Sequence, residues 1–226
     1  MIGSGISESD FHANVTRRHC IAVLLAALAA GTLPARAAAP APKLLVLGDS
    51  LSAEYGLQRG SGWVALMTER LGRQLPGATV VNASISGDTT SGGRSRLPAL
   101  LQQHRPTHVV IELGANDALR GLPMTMTEDN LRAMVKASRA AGAQVLLVGT
   151  QVPPNYGSAY TKQFAATFRN VADGEKVALV PFMLAGVADV PEAASLFQAD
   201  RLHPNERAHP RILENIWRVL WPWLKA

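Results

Sequence analysis

A chain of 226 residues with 47% hydrophobic and only 17% charged residues can bury a sizeable core, which excludes a disordered polypeptide. The formal charge of +5 raises the question of nucleic acid, but lysines and arginines are scattered singly and the longest basic run is Arg17-Arg18. Diffuse charge of this kind affects solubility, so no nucleic-acid partner is predicted.

The first segment differs in composition from the rest. "TRRHCIAVLLAALAAGTLPARAAAPAPK" places two arginines before an apolar stretch from Cys20 to Leu33, followed by small residues around Ala37 and Ala39. A positive region, a short apolar core and a small-residue cleavage site define an export signal. The apolar part is shorter than the roughly 20 residues of a membrane span, and Pro34 would end a helix there. Residues 1–39 are therefore predicted to be a signal peptide and cleavage region, and residues 40–226 a single domain that is periplasmic or secreted, with no stable membrane insertion after cleavage. The basic pair loosely matches a twin-arginine signal, so the export route stays open. Cleavage would remove Cys20, the only cysteine, and with it disulfides, thiolate catalysis and cysteine-ligated metals.

From Lys43 onward, short aliphatic runs alternate with longer amphipathic ones. "KLLVLG" (43–48) reads as the first strand and "GWVALMTERLGRQL" (62–75) as a helix; "ATVVNAS" (78–84) is the second strand, followed by helical "RLPALLQQH" (96–104). "THVVIELG" (107–114) is the third strand. The helix over 126–142 that follows has Thr127 as a candidate cap and Gly142 at its end. "AQVLLVGT" (143–150), helical "SAYTKQFAATFRNVA" (158–172), "KVALVPF" (176–182) and a last helix within 205–224 complete the pattern. Continuous rather than alternating apolarity fits strands covered on both faces, so a five-stranded parallel sheet in a three-layer α/β/α sandwich is predicted. Ligands in such folds bind beyond the carboxyl ends of the strands. Three polar clusters fall there: Asp49-Ser50, Ser86-Gly87-Asp88 and Asn116-Asp117.

Ser50, straight after Gly48 and Asp49, is either a turn residue or a nucleophile, and a nucleophile needs a base and a group that orients the base. His12 and His19 leave with the leader, and His104 and His108 flank the far end of the third strand. His203 and His209 remain. In "QADRLHPNERAHP", Asp200 lies three residues before His203, and Pro204 biases His203 toward an extended loop. Asp-x-x-His alone is a common surface pair. With a strand-end serine in a thiol-free chain it becomes a candidate triad of Ser50, Asp200 and His203. Donors for a developing oxyanion are available from the Ser50 N–H, the Gly87 N–H and the Asn116 amide, although Gly87 and Asn116 are equally common turn residues.

The blocks "GDSLS" (48–52), Gly87 in "NASISGDTT", "GANDALRG" (114–121) and "DRLHPN" (200–205) resemble the SGNH/GDSL hydrolase family over essentially the whole mature chain. The similarity is greatest to its periplasmic thioesterase/protease/lysophospholipase and arylesterase subgroup. The resemblance implies a flavodoxin-like fold and Ser50 as nucleophile, with His203 as base and Asp200 as orienting acid. It further implies Ser50, Gly87 and Asn116 as oxyanion donors and no cofactor. Arg201 departs from the subgroup, which often has glycine after the acid. Hydrolysis of acyl esters and thioesters, including lysolipids, is the expected activity, and a monomer the expected state. Carbohydrate deacetylation, acyl transfer and a non-catalytic acyl-binding role remain as alternatives.

Leu122 and Met124 in "GLPMTMTEDN", with Pro153 and Tyr156 in "VPPNYG", are expected to wall an apolar groove for an acyl chain. "GSGWVA" (60–65) outlines a dinucleotide fingerprint but does not follow the first strand directly, and there is no P-loop or G-x-S-x-G elbow. Asp117, Asp200, His203 and His209 could in principle ligate a metal, but no HExxH-like pair supports it, so no metal site is predicted. Trp217, Trp221 and Trp223 are expected to pack the last helix against the sheet, with contact to lipid as the other option.

Overall fold

The computed structural model describes Met1 and residues 41–225, so the expected signal peptide lies outside the described residues. Strands β1 (Lys43–Gly48), β2 (Thr79–Asn82), β3 (His108–Glu112), β4 (Gln144–Val148) and β5 (Ala178–Val180) form one parallel sheet in the order β2-β1-β3-β4-β5. Helices α1 (Trp63–Gln74), α2 (Thr90–His104), α3 (Ala115–Leu119), α4 (Met124–Ala140), α5 (Ser158–Glu175) and α6 (His209–Trp223) connect and cover it.

Alternation along the strands divides the interior into two cores. Leu44 and Val46 of β1 face Trp63, Met67 and Leu71 of α1 and Ile212, Ile216 and Leu220 of α6. Leu45 and Leu47 face the other way, with Leu97 of α2, Leu131 and Met134 of α4, and Phe164 and Phe168 of α5. Both faces are buried, so the central positions of the strands are continuously apolar, and the three-layer α/β/α sandwich predicted from that pattern is the one observed. Trp217 is buried, Trp221 stacks on it, and Trp223 packs against the first core.

The helices differ from their predicted bounds in ways that matter for the site. Helix α2 begins at Thr90, six residues earlier than expected, because the Thr89 side chain accepts the Gly92 N–H. Helix α4 starts at Met124 after Pro123, so Thr127 is not its cap; the hydroxyl instead donates to Asp117. Helix α3, a single short turn, escaped the periodicity altogether. Residues 205–208 form turns ahead of α6 rather than its first turn.

The sheet order reverses between β1 and β3. β1 continues to β2 on one side while β3, β4 and β5 extend on the other. A crevice opens where connections leave to opposite faces, and in open α/β sheets ligands bind there.

Candidate active site

Each polar cluster follows a strand at that crevice, two on loops and Asn116-Asp117 in the short helix α3. Asp49 follows β1 and starts a tight helical turn in which its carbonyl accepts from Ala53 N–H, while Oδ1 accepts from Leu51 N–H at 3.0 Å. This turn folds back over Gly48. A Cβ at Gly48 would stand 2.8 Å from both Ser52 Cβ and Ser84 Oγ, so only glycine admits the approach. The turn places Ser50, half-buried, at the carboxyl edge of the sheet.

The partner of Ser50 comes from the other end of the chain. Between β5 and α6, a loop closed by the Phe197–Pro204 bridge carries Asp200 and His203. Asp200 Oδ1 accepts the backbone N–H groups of Leu202 (2.9 Å) and His203 (3.0 Å), which curls the loop around its own carboxylate. Oδ2 lies 2.6 Å from His203 Nδ1, and His203 Nε2 lies 2.8 Å from Ser50 Oγ. A carboxylate only accepts, so Nδ1 carries the ring proton and Nε2 is left as acceptor for the Ser50 hydroxyl. Partial desolvation opposes the charge on Asp200, but its hydrogen bonds to the His203 ring, the His203 N–H and the Leu202 N–H outweigh it and hold the carboxyl down at about 2. The Tyr55 ring packs 4.4 Å from the His203 ring, centroid to centroid.

Arg201 takes φ +57°, in the left-handed region that favours glycine. The turn around Asp200 demands this conformation, which explains why glycine is the easier residue there. The Arg201 side chain lines the mouth of the adjoining cleft.

Gly87 is the third residue of a turn closed by Asp88 N–H to Ile85 C=O, at φ +79°. Its carbonyl accepts from Arg120 Nη2 at 2.8 Å, and its N–H has no acceptor among the described residues. The same is true of the Ser50 N–H. Asn116, in α3, donates one amide N–H to Asp49 Oδ2 at 3.1 Å and has a second to offer. Asp117, by contrast, is buried and accepts from Thr90 N–H (2.9 Å), the Thr90 hydroxyl and Thr127 Oγ1 (3.3 Å), so it clamps α2 and α4 to α3. His209 is likewise buried and accepts the Trp63 N–H at 3.0 Å. Among the described residues no group of three or more His, Cys, Asp or Glu could hold a metal ion.

A cleft of about 670 Å3 opens beside Ser50, Asn116 and His203. Its apolar wall comes from Leu119, Val152, Phe182, Leu184, Phe197 and Leu202, and Pro153 joins them. The groove expectation needs correcting, because Leu122, Met124 and Tyr156 do not line it. Met124 heads α4 and packs into the second core, Leu122 sits in the preceding turn, and Tyr156 is exposed and stacks on Tyr160. The long excursion from β5 to α6 supplies the wall in their place. Sequence reasoning also missed Glu112, an acid closing an otherwise apolar strand and wholly buried beneath the site. A second hollow of about 390 Å3, at the opposite edge of the sheet, is lined by Gln144, Lys176 and Trp223 and touches none of these groups.

A parallel α/β/α sandwich with an Asp–His–Ser chain at its switch point and free N–H donors beside the serine is the architecture of a hydrolase built around a strand-end serine. The chain belongs to the GDSL-like lipase/acylhydrolase family, whose model matches residues 46–211. It is 52% identical to esterase TesA of Pseudomonas aeruginosa over 186 residues, covering 82% of this chain and 91% of the relative. It is 44% identical to the arylesterase of Vibrio mimicus over 178 residues, 79% of this chain and 88% of that protein. To thioesterase 1/protease 1/lysophospholipase L1 of Escherichia coli it is 42% identical over 185 residues, 82% and 86% of the two chains. The crystal structure of TesA superposes with a TM-score of 0.76 over 80% of this chain and 98% of that one. The psychrotrophic esterase EstA from Pseudoalteromonas sp., in a structure inhibited by monoethylphosphonate, matches at 42% identity and TM-score 0.76, over 82% of this chain and all of that one.

Proposed function

We propose that the protein is an exported serine esterase that hydrolyses acyl esters and thioesters, lysolipids among them, through an acyl-enzyme on Ser50. The observation that carries this reading is the unbroken hydrogen-bonded line from Asp200 through His203 to Ser50, opening onto a mainly apolar cleft. Ser50 Oγ attacks the acyl carbonyl carbon as its proton passes to His203 Nε2, and Asp200 stabilises the imidazolium. The carbonyl oxygen becomes an oxyanion facing the Ser50 and Gly87 N–H groups and the second amide hydrogen of Asn116. Collapse breaks the bond to the leaving oxygen or sulfur, which takes the proton from His203. Water activated by the same ring then releases the acid and restores Ser50. The names of the relatives, esterase, arylesterase and thioesterase/lysophospholipase, support both ester and thioester substrates. The cleft volume falls within the range of about 300–1,000 Å3 common for small-molecule sites.

The leader composition supports export to the periplasm or beyond, with cleavage near Ala37–Ala39. Among the described residues no helix is long and apolar enough to cross a membrane. The reaction drawn here uses only side chains and backbone N–H groups, without cofactor, and one chain supplies them all, as a monomer would.

The test is hydrolysis of a p-nitrophenyl ester series from short to long acyl chains, with EDTA present, by the processed protein and its Ser50→Ala variant. Activity should survive EDTA and fall by about 10³-fold or more in the variant. Equal rates in the two proteins would refute the assignment of Ser50, and failure of an organophosphonate to label the wild type would point instead to an acyl-binding protein.

A further inference from the structure

Directly beneath the oxyanion donors lies a pair of acids that the reaction above does not use. The parallel register places Gly48 of β1 beside Glu112 of β3, so the next residue, Asp49, brings a second carboxyl to the same end of the sheet. Neither side chain has any exposed surface. Glu112 Oε2 accepts from Ser52 Oγ at 2.7 Å, but Oε1 is buried with no partner among the described residues, and Asp49, with its backbone N–H and its carboxyl, is the neighbour on the adjoining strand end. Asp49 has two donors of its own, Leu51 N–H on Oδ1 and the Asn116 amide on Oδ2.

Two carboxylates side by side and out of water cannot both be ionised. Asp49 accepts two N–H groups, so the charge is better supported there. A proton on Glu112 Oε1 gives that atom a role as donor, with Asp49 as its acceptor, and removes the repulsion. We propose that Glu112 and Asp49 are a proton-sharing pair of positioning residues: Glu112 holds the proton, Asp49 holds the charge, and that charge fixes which end of the Asn116 amide faces the substrate. An anion at Asp49 attracts the amide nitrogen and repels the amide oxygen, so Asn116 cannot flip and present an acceptor to the oxyanion. This rests on the reading of Asn116 as an oxyanion donor.

The titration behaviour agrees. Burial pushes Asp49 up to about 6, opposed in part by the Leu51 and Asn116 hydrogen bonds, and burial together with the Asp49 charge pushes Glu112 well above the usual carboxylate range. The other charged groups facing the pair are His203 and Asp88, which act on Asp49, and Arg96, whose Nη2 lies 3.3 Å from the Gly48 carbonyl.

The experiment measures kcat and KM on a p-nitrophenyl ester for Glu112→Ala, Glu112→Gln, Asn116→Ala and the Glu112→Ala/Asn116→Ala double variant of the processed protein. Asn116→Ala should lower kcat by about 10²–10³-fold, the loss seen for one oxyanion donor. Glu112→Ala should lower kcat by about tenfold or more with KM within about threefold, and should cost less than about threefold when Asn116 is already gone. Glu112→Gln, whose amide can donate to Asp49 and accept from Ser52, should recover most of the alanine loss. In the infrared, wild type near neutral pH should show a carboxylic-acid C=O band that Glu112→Gln removes. Losses that multiply in the double variant, a glutamine variant as slow as the alanine one, or absence of the band would each overturn the proposal. If Glu112→Ala does not fold, the glutamine variant and the band decide the matter. An Asn116→Ala variant as fast as wild type would overturn the oxyanion reading and the positioning role with it, while the band would still report the shared proton.

Discussion

Replacing Asp200 with asparagine preserves the shape of the catalytic loop and reverses the hydrogen-bonding sense of one atom. Two backbone N–H groups, from Leu202 and His203, converge on Oδ1 and require an oxygen there. The amide nitrogen of Asp200→Asn must therefore take the place of Oδ2, 2.6 Å from His203 Nδ1 in the wild type. An amide N–H donates, so Nδ1 becomes the bare nitrogen and the ring proton moves to Nε2, which faces Ser50 Oγ at 2.8 Å. The ring can then no longer accept the serine proton. Loss of the productive tautomer costs about 10⁴-fold in kcat, or roughly 5–6 kcal/mol of transition-state stabilisation. The cleft walls are untouched, so KM should stay within about threefold. Raising the pH should not rescue the variant, because the tautomer and not an ionisation limits it. The assay is steady-state hydrolysis of a p-nitrophenyl ester at saturation across the alkaline range, with urea unfolding as a control for folded protein. A folded Asp200→Asn enzyme with kcat within about tenfold of wild type would refute the tautomer argument.

Two further outcomes follow from the buried acids and the cleft. Asp49 is raised from 3.8 to about 6 on folding, chiefly by burial, so the folded state binds its proton more tightly than the unfolded one. Stability should therefore fall as pH rises from about 4 to about 6, by on the order of 1–3 kcal/mol. Asp200 works in the opposite sense, since its stabilisation is present above 3.8 and is lost as pH drops toward about 2. Urea midpoints should thus peak near pH 4, and Asp49→Asn should make the decline above it shallower, leaving the part that the raised Glu112 contributes; an unchanged slope in that variant would sink the assignment. Ala193 lines the cleft, so Ala193→Phe should fill part of it. Turnover of p-nitrophenyl acetate should change less than about threefold while long-chain esters lose about tenfold or more, and a uniform loss across the series would mean that the cleft does not hold the acyl chain.

The parts of the site that could be read from sequence are those fixed by local chemistry. Ser50 follows directly on an apolar run, and the spacing of Asp200 and His203 suits a carboxylate that caps its own loop, as it does here. Thr127 was misread because its position near a helix start looks like a cap, whereas its real partner, Asp117, lies on another element. The groove failed for the same reason on a larger scale. Phe182, Leu184 and Phe197 sit in a segment without periodicity, and only tertiary contacts show that it folds over Ser50 rather than over Met124 or Tyr156. Glu112 offered a signal, since an acid ending a continuous apolar strand needs a buried partner. Identifying that partner as Asp49 required the register of β1 against β3.

The loop that carries His203 meets Ser50 across 153 residues of chain, one residue at the first strand and the other just before the last helix. No fragment that lacks either end can assemble the hydroxyl with its base. On the proposed mechanism, catalysis begins only after this contact across most of the domain has closed, and contacts of such long range carry a large loop-closure entropy during folding. Ester turnover during refolding would then report when folding finishes rather than when it starts, which makes the enzyme a clock for its own folding.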